Sequence, residues 1–326
     1  MKNQIIPLAP ESYQRHLLHT QERTWAETNC YVDLWIELLH SWGLEPLAAL
    51  PFTLTIDFEG DQWTFFKFPL ADLYELYGLD VQELAIWKRV IDHVEEQVIL
   101  GRPVLVELDS YYLPDTVGTA YQRAHTKTTV AVNAIDVQNH WLGYFHNQGY
   151  FQLQGDDFIN IFNLHLETDA LPLPPYVEFV KRRSRPLRTG DELVQQSLGL
   201  LRNHLNLLPE ENPFEKFKTR FARDLDWLTN EPLDVFHKYS FTTLRQVGAC
   251  FELLATYLNW LQQHRISGLE PAQQAFSELS NGAKTLQFNL ARAVARKKIL
   301  DLSSLSEMAE RWQSAMSHLR SAVHEL

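Results

Sequence analysis

The chain contains two cysteines, and one of them, Cys30, stands in the stretch NCYVDLW, where a helix is expected to begin. Asn29 is a favourable N-cap residue, and Asp33 falls in the first turn, where acidic side chains are favoured. A thiolate at a helix N-terminus is stabilised by the positive end of the helix dipole and by unpaired backbone N–H groups, which can also form half of an oxyanion hole. Cys30 is therefore a candidate nucleophile, and the alternative is a small buried hydrophobic residue.

A candidate base follows later in the chain. His125 stands directly before the alternating run TKTTVAVNAID, so it would begin a strand and could lean over a neighbouring helix N-terminus. The next strand ends in His146 and Asn147, either of which could bond the far imidazole nitrogen and fix its tautomer. The order Cys30, His125 and an orienting polar residue resembles that of papain-like cysteine enzymes. The alternative is that these histidines are surface or packing residues.

Other polar and aromatic residues are candidates for a substrate pocket. Asp109 and Tyr111 follow a strand that should be buried, and Trp63 and Lys67 lie on or near a predicted hairpin. Asn29, beside the thiol, completes this set. The alternatives are ordinary core packing and the alternating polar residues of a hairpin. No HExxH motif or paired CxxC spacing is present, so we predict no metal site.

The periodicity of apolar residues predicts the elements that position these groups. A helical stripe follows Asn29, alternation predicts a hairpin over Phe52–Phe58 and Trp63–Phe68, and helical spacing resumes with a break at Gly78. Short β-branched and aromatic runs then predict antiparallel strands, and nearly everything from Asp191 onward favours helix. We therefore predict an α+β fold: a papain-like antiparallel sheet with the helix-borne Cys30 over 1–178, and a helical bundle over 179–326, joined at the proline-rich LPLPPYVE.

Several segments resemble a bacterial family whose genes often neighbour stand-alone amino acid:carrier-protein ligases. They are NCYVDLWIELL, DFEGDQWTFFK, LVELDSYYLPDT, AHTKTT and YFHNQGYFQLQGDDF. The same skeleton is similar to the N-terminal domain of the butirosin-biosynthesis acyltransferase, which moves an acyl group from a carrier-protein thioester to an amine. The resemblance implies Cys30 as acyl acceptor, His125 as its base and Asp109 in the pocket. That relative more usually has an acidic residue where this chain reads FHN, so the choice between His146 and Asn147 stays open.

The composition limits the partners and the location. A formal net charge of −12 argues against general nucleic-acid binding, which needs clustered basic residues. No apolar run is long enough for a membrane span, and no signal core opens the chain, so we expect a cytoplasmic protein. Both cysteines should be free thiols. Cys250 lies in the apolar stretch VGACFELLATYL and is expected to be structural.

The leading hypothesis is a cysteine-dependent acyl or aminoacyltransferase. The donor would be the phosphopantetheine thioester of a carrier protein, the acceptor a small-molecule amine or hydroxyl, and the protein would bind no cofactor of its own. The alternatives are a thioesterase or peptidase-like hydrolase, which would use water, and a non-catalytic scaffold that binds carrier protein. A hydrophobic environment around Cys30 would decide between transfer and hydrolysis.

A basic segment is the candidate docking surface for that carrier protein. Carrier proteins present acidic helices, so an acidic enzyme needs a local basic patch to overcome general repulsion. Arg182, Arg183 and Arg185 in KRRSRPLR are the candidates, and 292–298 is the next basic segment. The alternative for both is a solvated charged loop.

Overall fold

The fold is described by a computed structural model, which covers residues 2–167, 170–297 and 300–325. These residues form two compact units. A sheet unit comprises the residues up to Thr20 together with Asn29–Pro46 and Leu70–Leu187. A helical unit comprises Gln21–Thr28, Leu47–Pro69 and the residues from Arg188 onward. The prediction of an antiparallel sheet in the N-terminal region and helices in the C-terminal part is confirmed.

The sheet unit is built on one antiparallel sheet with the order β4-β9-β5-β6-β7-β8, and β1 pairs with the far end of β6. Alternating β-branched and aromatic residues account for the central strands, which were predicted from the sequence. The strands are β1 (Asn3–Gln4), β4 (Leu79–Glu83), β5 (Val104–Asp109), β6 (Lys127–Asp136), β7 (Trp141–His146), β8 (Gly149–Gln154) and β9 (Val177–Arg182).

The two faces of this sheet carry different helices. One face packs against α3 (Val90–Ile99) and α4 (Asp156–Ile161) through a core that includes Val106, Val130 and Tyr144. Side chains alternate between the faces of a strand, so the neighbouring residues point to the opposite face. That second face meets α1 (Cys30–Ser41), which packs over β6, β7 and β8. The remaining helix of the unit is α2 (Leu70–Tyr77).

The helical unit consists mainly of α-helices, and its one pair of strands within the described residues is a short hairpin. The helices are α5 (Gly190–Leu205), α6 (Pro213–Leu228), α7 (Leu233–Ser240), α8 (Gln246–Gln263), α9 (Glu270–Arg296) and α10 (Ser303–Glu325). Each has an apolar stripe that is buried against its neighbours, as an amphipathic helix requires. Cys250 is buried in α8, its thiol donates to the Thr53 carbonyl at 3.2 Å, and burial raises its pKa, as a structural cysteine requires.

The segment that precedes α1 in the chain is anchored within the helical unit. The Trp25 indole lies against Gly248, and its Nε1–H donates to Ser280 Oγ at 3.0 Å. The Glu252 carboxylate accepts from the backbone N–H groups of Thr24 and Trp25, at 3.0 Å each. Arg23 adds an ion pair to the same carboxylate at 3.2 Å. These contacts fix the backbone of Arg23–Trp25 on α8 and α9.

The predicted hairpin over Phe52–Phe58 and Trp63–Phe68 is wrong in extent. Its first half is a 3-10 segment, Pro46–Thr55, and the strands shrink to β2 (Phe58–Glu59) and β3 (Gln62–Trp63) around the turn at Gly60. Phe52, Thr53 and Leu54 are all buried. A half-buried strand needs one solvent-facing side, and this segment has none. Pro51 within it also lacks the backbone N–H that would donate to a neighbouring strand.

The helical stretch predicted around Gly78 is interrupted by a strand. Gly78 ends α2 at a φ of +67, and β4 follows at once, paired with β9. The guanidinium of Arg185 donates to the Tyr74 and Glu75 carbonyls, which caps α2 beside that glycine. The domain boundary expected after Glu178 falls inside β9, and the sheet unit continues to Leu187.

A buried charged cluster supports α1 from the N-terminal segment. His19 contacts Glu37 through Nδ1 and lies 3.3 Å from the Asp33 carboxylate through Nε2, with all three side chains at most 1% exposed. Tyr13 donates to Glu37 at 2.5 Å. Burial lowers the pKa of His19, but the hydrogen bonds and charges of Asp33 and Glu37 outweigh it and raise that pKa to about 9. The ring is therefore cationic at neutral pH.

This cluster makes the stability of the protein pH-dependent in a defined window. Because the folded pKa lies above the unfolded value of about 6.5, the stabilisation is complete below pH 6.5 and is lost as the pH rises through about 9. Wild type should lose on the order of 3 kcal/mol more unfolding free energy between pH 6 and pH 10 than His19→Gln does. Denaturant titrations at both pH values measure this, with the exposed His125→Gln as control. An identical pH dependence in His19→Gln would contradict the assignment.

Candidate active site

Cys30 is the first residue of α1, and its thiol is half-buried and free. The Asn29 side chain accepts from the backbone N–H of Val32 at 2.9 Å, which caps the helix and fixes the entry of the chain. Asn29 has an extended backbone, and the helix begins directly after it. The thiol therefore stands at the positive end of the α1 dipole.

His125 lies just before β6 and is held by Asp109 at the end of β5. Its Nδ1 is 2.6 Å from Asp109 Oδ2, and since a carboxylate only accepts, Nδ1 donates and Nε2 is left as the acceptor of a neutral ring. The other oxygen, Oδ1, accepts from the backbone N–H groups of Tyr111 at 3.0 Å and Thr126 at 3.2 Å. The imidazole stacks on the Tyr111 ring, with centroids 4.3 Å apart and 11° between the planes. Asp109 and Tyr111 thus fix the position and the tautomer of His125.

The alternation of side chains places Asp109 on the face of the sheet that carries α1. Val106 and Leu108 of β5 point into the core beside α3, so Glu107 and Asp109 point to the opposite face. The start of α1 meets that same face, because the hydroxyl of Tyr31, the residue after Cys30, donates to Glu178 at 2.9 Å. Glu178 pairs with Leu105 of β5. Helix α1 and the His125–Asp109 pair therefore share one face of the sheet.

The expectation that His146 or Asn147 orients His125 does not match the hydrogen bonds. His146 is buried, its Nδ1 lies 2.6 Å from Asp115, and its Nε2 lies 2.8 Å from Thr128 Oγ1, so both nitrogens are occupied. It follows Tyr144 at a spacing of two and belongs to the face of α3 and α4. Asn147 occupies the tight turn between β7 and β8 at a φ of +46. The partner of His125 comes from the preceding strand instead, through Asp109.

The remaining predicted pocket residues lie in the helical unit. Trp63 is buried in an aromatic cluster, with ring centroids 5.3 Å from Phe214, 5.4 Å from Phe217 and 5.4 Å from Phe58. Lys67 is exposed in the same unit. The aromatic richness of this stretch thus serves core packing around Trp63.

One buried acid near the start of α1 was not identified from the sequence. Glu178 is 2% exposed and accepts from the hydroxyls of Tyr31 at 2.9 Å and Tyr176 at 2.7 Å. Burial and the negative charge of Glu178 both raise the pKa of Tyr31, so its hydroxyl remains a donor at neutral pH. The only sequence signal was an acidic residue within the apolar run of a strand, VEFV.

The basic segment is partly engaged within its own unit. Arg185 caps α2, as described above, and Arg183 forms an ion pair with Asp80. Arg182 lies over the Trp42 ring at 5.3 Å and is otherwise exposed. Of the next basic segment, 292–298, Lys298 lies outside the described residues. Arg182 and Arg183 are therefore the residues of this segment that can reach a partner at little structural cost.

No group of three or more His, Cys, Asp or Glu side chains is arranged to hold a metal ion in 2–167, 170–297 and 300–325. None of the helices in the same ranges is both long enough and apolar enough to cross a bilayer.

Comparison with protein families identifies both parts of the chain. Residues 14–182 match the DUF1839 N-terminal domain, which covers the sheet except β1, together with Cys30 and the His125–Asp109 pair. Residues 190–321 match the DUF1839 C-terminal domain, which covers the helices from α5 onward. No curated protein matches the sequence significantly. With both domains present in order over most of its length, the chain belongs to the DUF1839 family.

Proposed function

We propose that the protein is a cysteine-dependent acyltransferase with Cys30 as nucleophile and His125 as general acid and base. The observation that carries this proposal is the 2.6 Å hydrogen bond between His125 and Asp109, on the face of the sheet that carries α1. An imidazole oriented by a carboxylate on one nitrogen has its other nitrogen free for proton transfer. A helix-borne Cys, a His and an orienting polar partner are also the components of a papain-like site, although here the acidic partner, Asp109, precedes His125 in the chain.

The donor in this proposal is the acyl or aminoacyl thioester of a carrier-protein phosphopantetheine. His125 takes the proton of the Cys30 thiol, and the sulfur attacks the thioester carbonyl to form a new C–S bond. The C–S bond to pantetheine then breaks, and the pantetheine thiolate leaves with the proton that His125 returns. Exchange of one thioester for another is nearly balanced in energy, so the protein has mainly to position the groups. An acceptor amine or hydroxyl then attacks the carbonyl of the acyl-enzyme and gives its proton to His125. The C–S bond to Cys30 breaks, and the Cys30 thiolate recovers that proton from His125.

Asp109 takes the orienting role in this mechanism. Its negative charge stabilises the imidazolium that forms whenever His125 holds the transferred proton. The backbone N–H groups of Tyr111 and Thr126 keep the carboxylate in place, and the Tyr111 ring limits rotation of the imidazole. The butirosin relative usually carries an acidic residue as the orienting group, and Asp109 is also acidic. The difference is that Asp109 comes from β5.

A thioesterase or peptidase-like hydrolase is the second candidate. One observation favours it: the His125 side chain is 68% exposed, so water can reach the base. A hydrolase would use the same acyl-enzyme and the same residues, with water as the acceptor. The two functions are separated by the lifetime of the acyl-enzyme with and without added amines, since only a transferase is discharged faster by an acceptor at constant pH.

The first prediction concerns the acyl-bearing residue. Cys30→Ala should bind carrier protein and form no covalent adduct, because the attacking sulfur is lost. Intact-mass spectrometry after incubation with aminoacylated carrier protein measures the adduct. Cys250→Ala is the matched control, and it should load like wild type because that thiol is buried. Transfer retained in Cys30→Ala would exclude the mechanism.

The second prediction compares the two carboxylates that hold a histidine. Asp109→Asn and His125→Ala should each slow loading by roughly 10²–10⁴-fold, because they remove the oriented base. Asp115→Asn is the control, since it disturbs the buried His146 on the other face and should lower thermal stability more than the loading rate per folded molecule. Rates are measured with a small thioester surrogate. A larger loss of rate in Asp115→Asn than in Asp109→Asn would reverse the assignment.

The third prediction concerns carrier-protein docking by the basic segment. The double variant Arg182→Glu/Arg183→Glu, with the α2 cap Arg185 retained, should slow loading from carrier protein, and more so at low salt. Loading from a small thioester should not change. Single substitutions should have little effect, because exposed ion pairs contribute only about 0.2–1 kcal/mol. Equal loss with both donors would indicate a structural role, and no loss would place docking elsewhere.

A further inference from the structure

A cavity that is open to solvent lies at the surface of the helical unit, at the C-terminal turns of α5 and α10. Its volume is about 530 Å³, which falls in the range of sites for small organic molecules. The lining residues come only from these two helix ends and are Arg202, Leu205, Asn206, Arg320, Val323 and His324. None of these six side chains is acidic. The cavity is thus cationic although the chain as a whole has a formal net charge of −12.

The described residues provide no ion pair that neutralises the two arginines of this cavity. Within the part of the chain that the structure describes, neither Arg202 nor Arg320 has a carboxylate within ion-pair distance or a side-chain hydrogen bond. Other arginines of the same unit do, such as Arg220 with Asp224 at 2.6 Å. Both side chains are exposed, so water screens the repulsion between them, and an anion between them would gain a favourable contact with each.

The dipoles of the two helix ends offset only part of the positive charge of this cavity. Basic residues are favourable in the last turn of a helix, where the dipole contributes about half a negative charge. The ends of α5 and α10 together offset about one of the two guanidinium charges by this count. About one positive charge remains. A bound oxyanion is the simplest way to neutralise it.

We infer that this cavity binds a small organic phosphate monoester. The phosphate would lie between Arg202 and Arg320, whose planar guanidinium groups suit bidentate contact with its oxygens. The Asn206 amide could add a further donor. Leu205 and Val323 would contact the apolar part of the ligand. This binding does not depend on the chemistry proposed for Cys30.

The charge of the cavity selects a phosphate over a monocarboxylate. A phosphate monoester carries about −1.5 to −2 at pH 7 and has three terminal oxygens, enough to bond both arginines at once. A monocarboxylate has one charge and two oxygens, so it leaves one guanidinium largely uncompensated. Phenyl phosphate and benzoate are therefore suitable probes, since they share the ring and differ in the anionic group.

Calorimetric titration of the full-length protein at constant ionic strength tests the inference. Phenyl phosphate should bind, and benzoate should bind at least about tenfold more weakly. Arg202→Gln and Arg320→Gln should each weaken phenyl phosphate about tenfold or more, because each removes a charge-assisted contact. Arg223→Gln is the matched control, as Arg223 is exposed on α6 and does not line the cavity; its affinity should equal that of wild type.

A second measurement on the wild-type protein avoids any question of misfolded variants. Phenyl phosphate should protect Arg202 and Arg320 from modification by phenylglyoxal, read by peptide mass spectrometry, while Arg223 is modified at an unchanged rate. No heat of binding in wild type, equal weakening in Arg223→Gln, or equal protection of all three arginines would overturn the inference.

Discussion

The pairing of β5 with β6 is the constraint on which the candidate site depends. Asp109 pairs with Lys127 in that ladder, and the backbone N–H of Ser110 continues it by donating to the Thr126 carbonyl at 2.9 Å. His125 stands one residue beyond this bond and so comes beside the Asp109 carboxylate. A slip of one residue would turn Asp109 to the other face of the sheet. The position of the base is therefore set by strand register rather than by the loop before it.

Buried carboxylates hold the surrounding elements together, and each is satisfied by several donors. Glu37 joins the N-terminal segment to α1 through His19 and Tyr13, and Glu178 joins β9 to α1 through the Tyr31 hydroxyl. Asp115 does the same on the opposite face with His146. An uncompensated buried carboxylate is costly, so these groups fix a single arrangement of the chain around them. The candidate nucleophile and its base thus rest on a rigid polar framework.

Much of this arrangement was predictable from local sequence, and the failures have physical causes. The Asn29 cap, the start of α1 and the central strands follow from capping preference and alternation, which are local signals. The partner of His125 could not be predicted from local sequence, because the antiparallel β5–β6 ladder brings Asp109 beside it from the preceding strand, whereas His146 lies forward in the chain. Alternation along β7 by itself argues against His146 as the partner of His125. His146 points to the same face of the sheet as Tyr144, whereas Asp109 points to the opposite face. Trp63 was assigned to a substrate pocket because an aromatic residue gives the same sequence signal in a pocket and in a hydrophobic core.

The contact between Trp25 and Gly248 restricts how the sequence can vary at these two positions. A Cβ added at Gly248 would lie 2.5 Å from the indole Cζ2 atom, so even alanine does not fit in that position of α8 while tryptophan occupies position 25. Glycine inside a helix costs about 1 kcal/mol relative to alanine, a penalty that burial of the large indole offsets. The two positions are therefore coupled although they are far apart in the chain. In relatives that carry a small residue at the position of Trp25, the steric reason for glycine at position 248 disappears. Alanine, which has the higher helix propensity, is then expected there.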